Sequence, residues 1–131
     1  MTKYYRTPHL VYDCKYNVIF CPKYRRGILI NGLDELVKSV FLKIAEQKNF
    51  QIVEMEVMPD HVHLLISCNP RFGIMNCIRA LKRYSAAPMR EFDPSLEHRI
   101  PSIWTRSAFI ATVGSVSLET VKAYIDSQKE Q

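Results

Sequence analysis

A chain of 131 residues with 47% hydrophobic side chains is long enough for one core and too short for two, so a single domain spanning 1–131 is expected. With 4 glycines, 7 prolines and no low-complexity tract, a disordered or fibrous protein is excluded. The net charge of +5 favours an anionic partner, but charge alone does not separate a nucleic-acid binder from an ordinary basic domain.

The four cysteines, Cys14, Cys21, Cys68 and Cys77, form no C-x-x-C pair and sit among apolar neighbours, as reduced, buried thiols of a cytoplasmic protein do. The stretch MTKYYRTPHL lacks a signal peptide's apolar core, Tyr4 and Tyr5 are expected in a mobile terminus, and no run reaches membrane-spanning length.

In chain order, Leu10, Tyr12, Cys14, Tyr16, Val18 and Phe20 alternate with polar residues, predicting one long half-buried strand closed by PKYRRG. Leu33, Leu36, Val37, Val40, Phe41, Ile44 and Ala45 then fall at helical spacing behind Asn31 as N-cap. Gln51 to Met58 alternates again, with Val53, Met55 and Val57 on one face and Glu54 and Glu56 on the other. Met58-Pro-Asp60 turns the chain into a second strand, HVHLLIS, as a hairpin. Ile74, Cys77, Ile78 and Leu81 mark a second helix that ends or kinks near Pro88. A last strand is expected over Ile103 to Val113, and Ser117 caps a terminal helix to about Gln128, with Glu119 in its first turn. The order β-α-β-β-α-β-α describes an α+β fold. Its first six elements match a ferredoxin-like (RRM-like) antiparallel sheet with packed helices, to which a C-terminal helix is added.

His61 and His63 alternate at the start of the strand, so both imidazoles point the same way, with origins roughly 7 Å apart. That spacing allows a shared metal, and equally two histidines hydrogen-bonded locally at a strand end. Tyr124 and Gln128, four apart, share a helical face with Val121 and Ile125; they could offer a third ligand, but spacing alone favours Tyr124 packing on the core and Gln128 as a fraying polar end. Basic residues form two groups: Lys23, Arg25 and Arg26 around Tyr24, and Arg79, Lys82, Arg83 and Arg90 as an outward stripe on the second helix. Such stripes are either solvated faces or contacts for a phosphate backbone.

Five stretches carry a resemblance that covers nearly the whole chain: NVIFCPKYRRGIL, VMPDHVHLLIS, IRALKRYSA, IWTRSAFIATVG and VKAYIDSQ. Together and in this order they resemble the IS200/IS605 transposases, a single-tyrosine (Y1) family of HUH endonucleases. The resemblance implies that His61 and His63 are the metal-binding pair, Gln128 completes the metal site and Tyr124 is the nucleophile. It implies a divalent cofactor, Mg²⁺ or Mn²⁺, and cleavage and rejoining of single-stranded DNA through a 5′-phosphotyrosine. It further implies recognition of hairpins at insertion-sequence ends by a homodimer in which the tyrosine helix can be exchanged, with Gly114 as a hinge. The sequence departs from the family in one place. Arg106-Ser107-Ala108-Phe109 stands where the family often has Gly-Tyr before the phenylalanine.

Two other classes fit less well. A non-catalytic nucleic-acid-binding module of RRM type needs aromatics on its central strands, and HVHLLISC has none. A repeat-associated transposase-like protein or another HUH enzyme shares the histidines; a two-tyrosine replication initiator is disfavoured because the last helix holds Tyr124 alone.

Overall fold

The computed structural model describes residues 4–113 and 118–130, with the side chains of 118–121 and 130 left aside. Four strands form one antiparallel sheet in the order β4-β5-β3-β6: β3 is Lys15–Phe20, β4 Gln51–Met58, β5 His61–Ser67 and β6 Phe109–Thr112. With α1 (Leu33–Lys48) between β3 and β4, and α2 (Ile74–Phe92) between β5 and β6, this is the expected ferredoxin-like order. The terminal helix α4 spans Leu118–Ser127 and runs into a 3₁₀ turn, Gln128–Glu130. Among the described residues no helix is long and apolar enough to cross a membrane.

Register sorts the sheet into two faces, because directly paired residues of neighbouring strands point the same way. Val18 pairs with Leu64 and Ile110, and Leu64 with Met55; Phe20 pairs with Val62. That face packs on the helices through Val37, Phe41, Ile78 and Leu81 to make the core. The other face carries the row Glu56, His63, Ile19 and Phe109, and beside it Glu54, Leu65, Asn17 and Ala111.

The elements differ from expectation in six places. The first long strand is broken at Asp13, whose carboxylate takes Lys15 Nζ at 2.7 Å. Its first part becomes β2 (Leu10–Tyr12), paired with β1 (Tyr5–Thr7) in a separate hairpin where the Tyr5 and Tyr12 rings stack at 5.6 Å. Tyr5 therefore lies in a paired strand. Helix α1 starts from Gly32 (φ 96), not from an Asn31 cap: Asn31 is itself left-handed at φ 54, and the Gly32 N–H donates to Asp34 Oδ1. A bulge between Ile52 and Glu54 turns Val53 out of phase and leaves it exposed. Helix α2 runs through Pro88 to Phe92. A short helix, α3 (Leu96–Arg99), follows it.

The sixth difference bears on the site. The last strand begins only at Phe109; before it, Trp104 makes an isolated antiparallel bridge with Pro22, and the Lys23 and Thr105 N–H groups donate to the Ile103 and Cys21 carbonyls. Lys82 Nζ, from α2, donates to the carbonyls of Thr105 and Ser107, both at 2.8 Å. Trp104 turns into the core, edge-on to Phe20 at 5.0 Å, and its indole N–H donates to Ser85 Oγ. The Thr105 and Ser107 carbonyls and the indole thus find side-chain partners where the regular ladder is interrupted. Three cysteines are buried as expected, and Cys14 is half-buried.

Candidate functional site

His61 and His63 lie on the outer face of β5, while Val62 and Leu64 between and beyond them are fully buried in the core. The alternation that makes Val62 a core residue is what presents both imidazoles to the other side. His61 Nδ1 lies 2.8 Å from Asp60 Oδ1, and His63 Nε2 lies 3.2 Å from Asn17 Oδ1. In a neutral ring each bond takes the proton of one nitrogen and leaves the lone pair of the other, Nε2 of His61 and Nδ1 of His63, to act as a ligand. The pair is thus hydrogen-bonded locally, and these bonds engage only one nitrogen of each ring.

Helix α4 reaches the histidine face through Tyr124. Its ring tilts on Phe109 at 5.5 Å, in the row that continues through Ile19 to His63. Ile19 and Cys21, on this outer side of β3, are fully buried. Tyr124 Oη lies 3.1 Å from Ser107 Oγ. Burial pushes the phenol above its ordinary range, and the Ser107 hydrogen bond acts in the opposite direction. One turn on, Gln128 is 4% exposed; its Nε2 donates to Ser127 Oγ, and its Oε1 is buried with no hydrogen-bond partner.

An orphaned buried amide oxygen costs roughly 1–3 kcal/mol, which a bound cation would offset. The donor chemistry fits: two imidazole nitrogens and one amide oxygen suit a first-row divalent ion or Mg²⁺. Among the described residues no three His, Cys, Asp or Glu side chains gather as a metal-holding group, so a three-ligand set here depends on the Gln128 amide.

Arg25 ties these parts together. Its Nε pairs with Asp60 Oδ2 at 3.2 Å, and its Nη1 donates to Asp126 Oδ1 at 3.0 Å and to the Ile125 carbonyl at 3.4 Å. One guanidinium therefore joins the carboxylate that orients His61 to the last turn of the tyrosine helix. Tyr24 and Arg25 both have left-handed backbones, φ 59 and φ 51, a strain of about 1–3 kcal/mol each that needs such anchoring. Arg25 belongs to a basic group expected either to face solvent or to contact a DNA backbone; instead its guanidinium is committed to these carboxylates. Lys23 is half-buried with its ammonium 5.3 Å from the Tyr24 ring, and Arg26 is exposed.

The expected outward stripe on α2 divides. Arg79 and Arg83 are exposed, Arg90 is half-buried, and Arg83 lies over the Tyr84 ring at 5.5 Å. Lys82 is corrected: it points inward, over the Phe20 ring at 5.1 Å and onto the two carbonyls of the bent segment. Burial lowers its pKa to about 8. The arginines rim an open groove of about 700 Å³ floored by Ile78, Ala86 and Trp104. Ser107 was missed as a site residue; its hydroxyl beside a strand end gave no periodic signal. Ser117 as cap and Gly114 as hinge lie outside the described residues, as do the side chains of Glu119 and Val121.

The chain has relatives among known proteins. The chain is 36% identical over 123 residues to the ISDra2 transposase TnpA of Deinococcus radiodurans, covering 92% of this chain and 88% of that one. It is 31% identical over 125 residues to the transposase for insertion sequence element IS200 of Salmonella typhimurium, covering 94% and 82%. A crystal structure assigned to a transposase of Deinococcus radiodurans superposes with a TM-score of 0.87 at 31% identity, covering 97% of this chain and 99% of the other. A REP-associated tyrosine transposase bound to a REP hairpin shares the fold, with a TM-score of 0.57 at 14% identity, covering 96% and 69%. The family described as IS200-like transposase matches residues 10–128, and this chain belongs to it.

Proposed function

We propose that this transposase cleaves and rejoins single-stranded DNA with Tyr124 as nucleophile and a divalent ion, Mg²⁺ or Mn²⁺, held by His61, His63 and Gln128. The observation that carries the reading is α4 itself. It sets the Tyr124 ring against Phe109, on the sheet face that His63 shares, and one turn later buries an amide oxygen without a hydrogen-bond partner.

The ion, when bound, would neutralise charge on the phosphoryl oxygens. The rest is the work of the chain's own residues. Asp60 and Asn17 fix the two imidazoles, so that little ordering is left for the moment of reaction. Phe109 and Ser107 hold the phenol at ring and oxygen. Attack by the Tyr124 oxygen forms the O–P bond and breaks the P–O3′ bond; the phenol loses its proton, and O3′ gains one. The covalent product keeps the energy of the phosphodiester, so rejoining requires no nucleotide hydrolysis.

Hairpin-bearing single strands are the proposed substrate, and a homodimer the proposed working unit. The exposed arginines of α2 and the net charge of +5 support a largely electrostatic component of binding. The reading is tested by incubating the protein with labelled single-stranded DNA from the flanks of its gene and Mn²⁺. A covalent adduct mapping to Tyr124, absent in Tyr124→Phe, is expected; an adduct on another tyrosine, or cleavage persisting in that variant, overturns it.

A further inference from the structure

The segment that departs from the family pattern is the one that touches the nucleophile. Ser107 Oγ lies 3.1 Å from Tyr124 Oη, and the backbone around it is pinned from three sides. Thr105 N–H donates to the Cys21 carbonyl at 3.0 Å. Thr105 Oγ1 donates to the Ser107 carbonyl at 3.2 Å. Lys82 Nζ donates to the carbonyls of both residues at 2.8 Å. Among the described residues no carboxylate pairs with Lys82; its ammonium is committed to those two carbonyls and the Phe20 ring.

A half-buried lysine with no counter-ion among the described residues is an expensive way to hold a loop, and burial has already lowered its affinity for a proton. What the loop presents accounts for it. The Ser107 hydroxyl lies where it can donate to the phenolic oxygen, and a donor there favours the charged form of a tyrosine that burial otherwise disfavours. The Phe109 ring fixes the other end of the same side chain. Two supports, one at the ring and one at the oxygen, leave the nucleophile few rotamers to lose before attack.

We propose that Ser107 is a catalytic residue, the hydroxyl that holds the Tyr124 oxygen and shares its negative charge during attack, and that Lys82 is the positioning residue that fixes Ser107. The proposal deepens the strand-cleaving reading and rests on it for its rate measurements.

The experiment uses full-length protein labelled with ¹³Cζ-tyrosine, whose shift reports hydrogen bonding at the phenol, with the Tyr124 signal assigned by Tyr124→Phe. In DNA-free protein, Ser107→Ala moves that signal, Ser107→Thr keeps it near its wild-type position, and Lys82→Met displaces it without touching Tyr124 directly. In single-turnover cleavage of single-stranded DNA with Mn²⁺, Ser107→Ala slows the rate on the order of tenfold at unchanged DNA half-saturation, and Ser107→Thr restores most of it. An unmoved Tyr124 signal in Ser107→Ala overturns the contact. Equal rates in wild type and Ser107→Ala, or equal losses in the alanine and threonine variants, overturn the catalytic role. Should wild type form no adduct at all, the cleavage reading fails, and Ser107's role in it with it; an active wild type indifferent to Ser107→Ala refutes this proposal alone.

Discussion

The two faces of the four-stranded sheet are made from the same strands and held by different means. On the helix side, Val18, Phe20, Val62, Leu64 and Ile66 are fully buried under two long helices, so each contact is backed by several others. On the outer side, burial of Ile19 and Cys21 coincides with the docking of one short helix, and α4 is held there by a ring contact, a serine and the bonds of Arg25. Redundant apolar packing makes the first face rigid. Sparse polar attachment makes the second face adjustable, which suits the role proposed for α4 in presenting a nucleophile.

The sharpest way to break this comparison is to change neighbours on one strand. Leu64→Ala should cost roughly 2–5 kcal/mol of stability, since it empties a fully packed site. Replacing both His61 and His63 with alanine should leave the urea midpoint near wild type yet abolish metal-dependent cleavage. Undiminished cleavage in the double variant would remove the metal assignment, and a midpoint drop as large as that of Leu64→Ala would mean that the outer face also carries the fold.

A smaller effect is expected from Arg25→Ala. Its ion pairs are partly solvated, so global stability should fall by only about 1 kcal/mol. The local effect should be greater, because this one side chain joins Asp60 to Ile125 and Asp126. Amide hydrogen exchange over 124–128 should speed up while β3 and β5 stay protected. Unchanged exchange in that turn would show that α4 is docked by packing and not by the guanidinium.

The core and the site were legible in the sequence to different degrees for the same reason. Period-two and period-3.6 patterns revealed β4, β5, α1 and α2, because one face of each is apolar over many residues. Val62 between His61 and His63 made the pair readable as a protruding motif. Local polar bonding has no period, and this is where expectation failed. Asp13 broke a strand that alternation alone would continue, and Lys82 turned inward from a stripe that helical spacing alone placed outside. The roles proposed for Tyr124 and Gln128 came from resemblance; spacing alone left them as packing. The orphaned Gln128 oxygen supplies the physical observation that spacing lacked.

Lys82 offers the finest test, since it reaches from the helix side to the segment that supports Tyr124. Its ordinary pKa of 10.5 falls to about 8 in the folded chain, chiefly through burial. Between those values the unfolded chain binds more protons at this residue than the folded one, so the contribution of Lys82 to stability rises with pH. Its penalty is fully present below about pH 8 and is relieved on the way to 10.5. Cys21 acts in the opposite sense above its ordinary 9.0, because burial pushes it up to about 12 and the folded chain then holds the extra proton. The window from pH 8 to 9 therefore isolates the lysine best, and Lys82→Met supplies the baseline for every other titrating group. Wild type should gain urea stability relative to Lys82→Met across that window. Parallel curves would show that the ammonium is better solvated than its two carbonyl contacts suggest, and would return Lys82 to the water-facing stripe with Arg79 and Arg83.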